Sequence, residues 1–460
     1  MGSQTVLLAL VAIAILAVAF VASRLVSTLA NWAPAGPIAL IAGAPLIPHV
    51  SVIASLSLDD LLPVLGAGLL VIQLPRPQLT QSRLLQFVLA SVVAATIARV
   101  LSSFANGGSP EGTILMLAQA VGRPAILVAL AAYVAIAAPA DRRYRFVAIT
   151  IALVGTFEAI FGLIAFAVPL PGGIGMQAAM SFESLYGVCP GRIVGTLGLS
   201  PNHSGAVFVL ATPMTLGLAV RAPDWKRWLW AGAGAAQGAA VFLTFTRASI
   251  LIAAVGGLLF LLLERRFRLA AGVALATIAL AALISTLGCG GVGQKPVSGV
   301  ALLESRFQDS NDRLALWYAA ARIMVDYPLA GIGLGRLQEF VLAHPTTYGE
   351  TPFGEAMNSA HNTILLAGAE TGVLGAVGTL GVNLGLGVGA LGLIWLRWRR
   401  REVLLGAAGF ALGCYLLQGM VNNLFTVPAT SVLLALVAGA FLGGGSNVGR
   451  DGSEGVAQSW

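Results

Sequence analysis

Six residues in this chain are of types, and at places, suited to holding an anion and moving a proton: Arg192, Arg247, Arg306, Arg313, Trp317 and His361. Arg306 and Arg313 stand seven positions apart, on one face of a helix, and Trp317 lies one turn past Arg313. Two cations and an aromatic ring on one face suit a pyrophosphate clamp that also packs on a sugar. The plainer alternative is a solvated helix whose arginines pair with Glu304, Asp309 and Asp312. Arg192 lies in Gly191-Arg192-Ile193-Val194-Gly195-Thr196. Glycine-rich backbone beside an arginine can approach a phosphate oxygen, although an arginine can also snorkel to an interface. Arg247 sits in Thr244-Phe245-Thr246-Arg247-Ala248-Ser249, a tight turn between apolar runs. A guanidinium near hydrocarbon is costly unless paired, so an anionic headgroup and a loop carboxylate are equal candidates for its partner. His361 precedes Asn362, just ahead of the apolar run from Ile364. An unperturbed imidazole titrates near pH ~6.5, which suits a general base for a sugar hydroxyl; a packing residue at a helix start is the alternative. His203 reads as structural, and His49 and His344 are given no role.

The elements that must position these residues are read from composition. Of 460 residues, 57% are hydrophobic and 10% charged, and the mean hydropathy is +0.88. A soluble domain would carry about a quarter charged residues. The fold class expected is all-α: a polytopic membrane protein of about twelve or thirteen spans, each of roughly 17–20 apolar residues. The apolar segments run 6–22, 37–56, 59–74, 84–101, 124–138, 146–168, 204–220, 228–245, 248–263, 269–287, 364–394, 403–420 and 428–444. Pro34, Pro37, Pro45, Pro48 and Pro63 break the early pattern, so one segment there is re-entrant or kinked. The first apolar run lacks a basic lead and a cleavage site and reads as retained.

Basic clusters set the orientation. Arg76 with Arg83, Arg142 to Arg145, Arg221 to Arg227, Arg265 to Arg268 and Arg397 to Arg401 fall at alternate span ends, and Trp225, Trp228, Trp395 and Trp398 flank them as interfacial anchors. That end is cytoplasmic by the positive-inside rule. The net charge of +7 is therefore a topology signal and not a mark of nucleic-acid binding. The other face receives two long loops, about 169–203 and 288–361, containing short helices. Arginines there need a reason other than topology. Residues 1–445 form a single transmembrane domain, and 446–460 a disordered cytoplasmic tail. Cys189 and Cys289 lie one in each long loop and could pair, whereas Cys414 reads as a small core residue. No metal-ligand spacing is present.

These motifs resemble the O-antigen ligase/polymerase superfamily of bacterial envelope glycosyltransferases over roughly 145–440. The likeness rests on Arg192 with Gly195-Thr196 and Pro201-Asn202, and on Thr244-Phe245-Thr246-Arg247, where relatives often have Ser in place of Thr246. It rests further on Asn311-Asp312-Arg313 with Trp317, Pro328 and Gly331-Ile332-Gly333-Leu334-Gly335, and on His361-Asn362 with Glu370-Thr371-Gly372-Val373-Leu374-Gly375. The resemblance implies a cofactor-free, metal-independent, inverting enzyme of the bacterial inner membrane. Its active site would face the periplasm, its donor would be an undecaprenyl-pyrophosphate-linked glycan, and membrane lipids would surround it. By motif position, Arg192 and Arg313 are pyrophosphate ligands, Arg247 is a weaker third, and His361 is the acceptor-side base.

The acceptor is lipid A–core in a ligase, another lipid-linked repeat in a polymerase, or a protein side chain in an O-oligosaccharyltransferase; the first is favoured narrowly. A transporter of lipid-linked glycan is the rival class. Transporters place ionisable groups near mid-bilayer and often show repeats, whereas here mid-span charges are scarce, Glu158 and Glu370 being exceptions, and no repeat is evident.

Overall fold

The computed structural model describes residues 23–28, 35–43, 46, 51–53, 56–57, 65–66, 69, 83–107, 140–168, 170, 175–178, 191–196, 200–289, 299–348, 360–422, 424 and 428–442. Helices dominate them, as lipid demands, since a helix satisfies its backbone groups within one segment. In order they are α1 (Ala35–Ala42), α2 (Arg83–Asn106), α3 (Ala140–Ala167), α4 (Pro201–Arg221), α5 (Asp224–Leu243), α6 (Arg247–Leu263) and α7 (Phe267–Cys289). There follow α8 (Gly299–Asp326), α9 (Leu337–Ala343), α10 (Pro345–Tyr348), α11 (Thr363–Arg400), α12 (Val403–Val421) and α13 (Pro428–Leu442). Among the described residues five helices are long and apolar enough to cross a membrane: α2, residues Tyr144–Ala167 of α3, α4, α11 and α12.

Helix α4 is the centre of the bundle. Ser200 caps it, its hydroxyl accepting the N–H of Asn202 at 3.2 Å, and Pro201 takes the first turn, where a missing N–H costs nothing. Nearly all of α4 is buried against α3, α5, α6 and α12. Inside, Gln237 of α5 donates to Thr156 of α3 at 3.1 Å and to Thr215 of α4 at 3.0 Å, a buried polar link among three helices. A second seam runs between α2 and α11. There Gly378, Gly381 and Gly385 face Ala95, Ser91 and Val88, and small residues let the two backbones approach.

Four expectations are modified. The segment 37–56 is not one helix: α1 ends at Ala42, and Ser51–Ile53 (β1) pairs antiparallel with Leu56–Ser57 (β2), as the prolines foreshadow. The loop 169–203 carries, in its described part, an antiparallel ladder instead of a short helix, with Met176–Ala178 (β3) on Gly191–Ile193 (β4). The loop 288–361 contains the 28-residue helix α8 as well as the short α9 and α10. Finally, the run 364–394 lies in a 38-residue helix broken at Gly372 (φ 77°, ψ −174°).

That break explains the glycine-rich run after Pro328. A helix interrupted within a bilayer exposes carbonyl and amide groups that need partners. Ile332 and Gly333 donate to the carbonyls of Ala369 and Glu370 at 3.0 and 3.1 Å, and Val373 donates to Pro328 at 2.8 Å. Gly335 donates to the Glu370 carboxylate at 3.0 Å, and Ser102 of α2 to the Glu370 carbonyl at 2.7 Å. At Gly372 a Cβ would both adopt a left-handed φ and collide with the Pro328 carbonyl. Beyond this insert, Tyr348 donates to Asp326 at 3.0 Å, tying α10 to the end of α8. Burial, with Asp326 beside it, pushes the phenol up to about 12, so it stays a neutral donor. His344 stacks on Phe340 with centroids 4.5 Å apart, a packing duty.

The first apolar runs at 6–22 and 59–74, the run 124–138, the tail 446–460 and Cys189 lie wholly or largely outside the described residues, as do the side chains of Arg306 and Cys289. Cys414 is buried on α12 with its Sγ 3.8 Å from the Ile252 carbonyl, as a core residue would be.

Candidate functional site at one end of the bundle

The two ends of the bundle are chemically distinct. At one end Arg221 closing α4 pairs with Glu402 at 2.9 Å, and Arg397 near the end of α11 forms a two-bond pair with Glu264 after α6. Trp225, Trp228, Trp395 and Trp398 are exposed at this end. The clusters around Arg221, Arg265 and Arg397 thus share one end.

At the other end β4, the turn between α5 and α6, and the first turn of α4 come together. Arg192 on β4 is half-buried; its Nε donates to the Thr244 carbonyl at 2.8 Å and its Nη2 to the Thr246 hydroxyl at 3.1 Å. Thr246 donates onward to the Asn202 side-chain oxygen at 3.2 Å. The strand itself is steadied by the Gly195-Thr196 turn, where Thr196 donates both its N–H, at 2.9 Å, and its hydroxyl to the buried Glu158 of α3. Gly195 has φ 58°, and a Cβ there would collide with that carboxylate. Both within-span carboxylates, Glu158 and Glu370, therefore receive backbone N–H groups from loops.

The last turn of α12 gathers the rest. An α-helix leaves its final four carbonyls without intrahelical partners, and here each is taken by a neighbour. Gly419 and Asn422 accept from the Thr363 hydroxyl at 2.8 and 3.2 Å, Met420 accepts from Asn362 Nδ2 at 3.0 Å, and Val421 accepts from Arg313 Nη1 at 3.2 Å. One turn earlier Gln418 donates to the Asn202 carbonyl at 3.4 Å and to the Ser249 hydroxyl. Arg192 reaches this turn through Thr246, Asn202 and Gln418, and Arg313 reaches it directly. Asn362 caps α11, its oxygen accepting from Ile364 and Leu365 at 3.0 Å each. His361, just before that cap, holds a left-handed φ of 47°.

The predicted residues are thus partly gathered. Arg192, Arg313 and the segment bearing His361 are linked to one turn. Arg247 is the first residue of α6 and is exposed, while its neighbour Thr246 makes the bond to Arg192. Trp317 is half-buried one turn past Arg313, and its Nε1 is enclosed with no partner among the described residues. Arg306 lies on α8 without a described side chain. Sequence reasoning passed over Gln418 and Asn422. The signal available was faint: two amide residues one turn apart, where the apolar run 403–420 ends. Among the described residues no three His, Cys, Asp or Glu side chains gather as metal ligands would.

Residues 232–380 match the family model described as O-Antigen ligase. The match bears out the likeness to the O-antigen ligase/polymerase superfamily. The matched region spans Arg247, Arg306, Arg313, Trp317, His361 and the break at Gly372; it leaves Arg192, Asn202 and the α12 turn outside. Comparison with curated proteins finds no match. A multi-pass membrane protein with an activity of O-antigen ligase/polymerase type is the reading these findings carry.

Proposed function

We infer that the chain transfers a glycan from undecaprenyl pyrophosphate to an acceptor hydroxyl at the periplasmic face of the bacterial inner membrane, with lipid A–core as acceptor. The observation that supports this most is the linkage of Arg192, Arg313 and the His361-Asn362 helix start, from three separate segments, to one turn of α12.

In this reading His361 takes the proton of the acceptor hydroxyl, and the freed oxygen attacks C1 of the first sugar. The bond from C1 to the pyrophosphate oxygen breaks, and its electron pair leaves with the lipid pyrophosphate. A single displacement inverts C1. Negative charge on the leaving group grows through the transition state, and guanidinium groups already fixed in place lower the barrier most where that charge develops. Arg313 suits this role. Its described bond is to a neutral carbonyl, which orients the group and leaves its charge for a ligand. Arg192 joins it, with Arg247 and Arg306 as further ligands, and the Trp317 ring packs on the sugar. Arginines do here what a bound metal does for many nucleotide-sugar enzymes, and no cofactor takes part.

The test uses purified protein, a defined undecaprenyl-pyrophosphate glycan and two acceptors in parallel, lipid A–core and a second lipid-linked repeat, with EDTA present. Product on lipid A–core that disappears in Arg313→Ala and His361→Ala is the expected result. A ladder of longer lipid-linked chains makes the protein a polymerase with the same site. Glycan transferred only to protein makes it an O-oligosaccharyltransferase. Flipping in liposomes without any transfer overturns the enzyme reading in favour of transport.

A further inference from the structure

Asn422 has no structural task that accounts for its side chain. It closes α12 in an extended conformation (φ −147°, ψ 157°), and its residue is 1% exposed. Every carbonyl of the final turn is already capped by Thr363, Asn362 or Arg313. Neither Nδ2 nor Oδ1 of Asn422 has a hydrogen-bond partner among the described residues. A buried amide left in this state is destabilising, and natural proteins rarely keep one without a use. The Trp317 indole N–H, one turn past the Arg313 that bonds the Val421 carbonyl, and the Gln418 Oε1, one turn before Asn422, are likewise buried without partners among the described residues.

The chemistry of these groups selects the ligand. Phosphate oxygens only accept hydrogen bonds, so two bare carbonyl-type oxygens, Asn422 Oδ1 and Gln418 Oε1, would repel them. A sugar hydroxyl both gives and accepts. An amide with donors and an acceptor, an indole that offers an N–H and a flat apolar ring, and a second amide oxygen together match a pyranose ring. We propose that Asn422, with the Trp317 N–H, binds ring hydroxyls of the transferred glycan, beside the Arg313 end that takes the pyrophosphate. The inference rests on the glycan-transfer reading and divides the site: charge on the arginines, hydroxyl recognition on the closing residue of α12.

The test measures binding of two probes to the full-length protein in nanodiscs: undecaprenyl pyrophosphate without sugar, and the same lipid carrying its glycan. Asn422→Leu fills the space without hydrogen-bonding groups, and Trp317→Phe keeps a smaller aromatic ring but removes the N–H. Each variant is expected to bind the bare lipid as wild type does and the glycan-linked lipid roughly tenfold more weakly, from one or two lost hydrogen bonds. Thermal unfolding of Asn422→Leu without ligand should be no lower than wild type, because the amide it removes satisfies nothing. A wild-type protein that binds the two probes equally, or variants that keep its preference, overturns this inference and leaves the transfer reading standing. A fall in unfolding temperature of Asn422→Leu, with both probes weakened alike, makes Asn422 structural and also overturns it. Failure of wild type to bind either probe overturns the transfer reading along with it.

Discussion

Arginine is used in two ways in this molecule, and the ends of the bundle separate them. At the basic end Arg221 and Arg397 meet carboxylates, Glu402 and Glu264. At the other end Arg192 donates to a carbonyl and a hydroxyl, and Arg313 to a carbonyl. A carboxylate orients a guanidinium and also neutralises it; a carbonyl orients it and leaves it charged. The first arrangement fastens helices together. In the reading proposed above, the second leaves Arg313 charged for the pyrophosphate of the donor.

The sharpest way to break this comparison is to remove an arginine at each end. Arg313→Ala should lower glycan transfer by about 10²–10³-fold, the scale of a lost transition-state donor, with little change in thermal unfolding. Arg313→Lys should recover only a small part, since an ammonium cannot reproduce the planar fork. Equal loss of stability in both tests would mean that Arg313 is a fastener like its counterparts. Next in size, Gly372→Ala should destabilise the protein by several kcal/mol, through a strained left-handed φ and a clash with the Pro328 carbonyl. Gly232→Ala in α5, where a Cβ meets nothing, should be neutral or gain up to about 1 kcal/mol. Glu264→Ala should cost about 1–3 kcal/mol by leaving Arg397 half-buried without its counter-ion, with transfer by the folded protein unchanged. Arg221→Ala should be the mildest, at most about 1 kcal/mol, because both partners are about a third exposed to solvent. Activity assays set beside unfolding curves for these six substitutions give the comparison its full test.

The basic end was legible because topology writes itself in clustered charge: Arg221, Arg265 and Arg397 stand out of apolar runs whatever their neighbours. A helix carrying Arg306, Arg313 and Trp317 was legible too, and α8 carries all three, although its 28-residue length was not foreseen. The other end resisted. Arg247 drew notice as a charge, yet Thr246 beside it makes the bond that holds Arg192, and a threonine in an apolar sequence carries no such mark. Gly372 looked like one small residue among many, since hydropathy does not register a backbone break. The glycines at 331, 333 and 335 read as a loop, whereas they thread their N–H groups into that break. Gln418 and Asn422 are single neutral residues whose meaning comes only from segments distant in the chain. Hydrogen bonding between remote segments has no period to read.

The bond from Gln418 to Asn202 spans 216 residues, and this fixes a moment in the life of the molecule. Ribosomes add about 5–20 residues each second, so α4 waits roughly 10–40 s before the turn that completes its upper edge has been made. Arg192 is made before that interval and Arg313 within it, and neither yet has the turn of α12 to which both are linked. A nascent chain stopped short of α12 lacks the turn to which both arginines are linked, and in the glycan-transfer reading proposed above it gains activity only when its synthesis is nearly done.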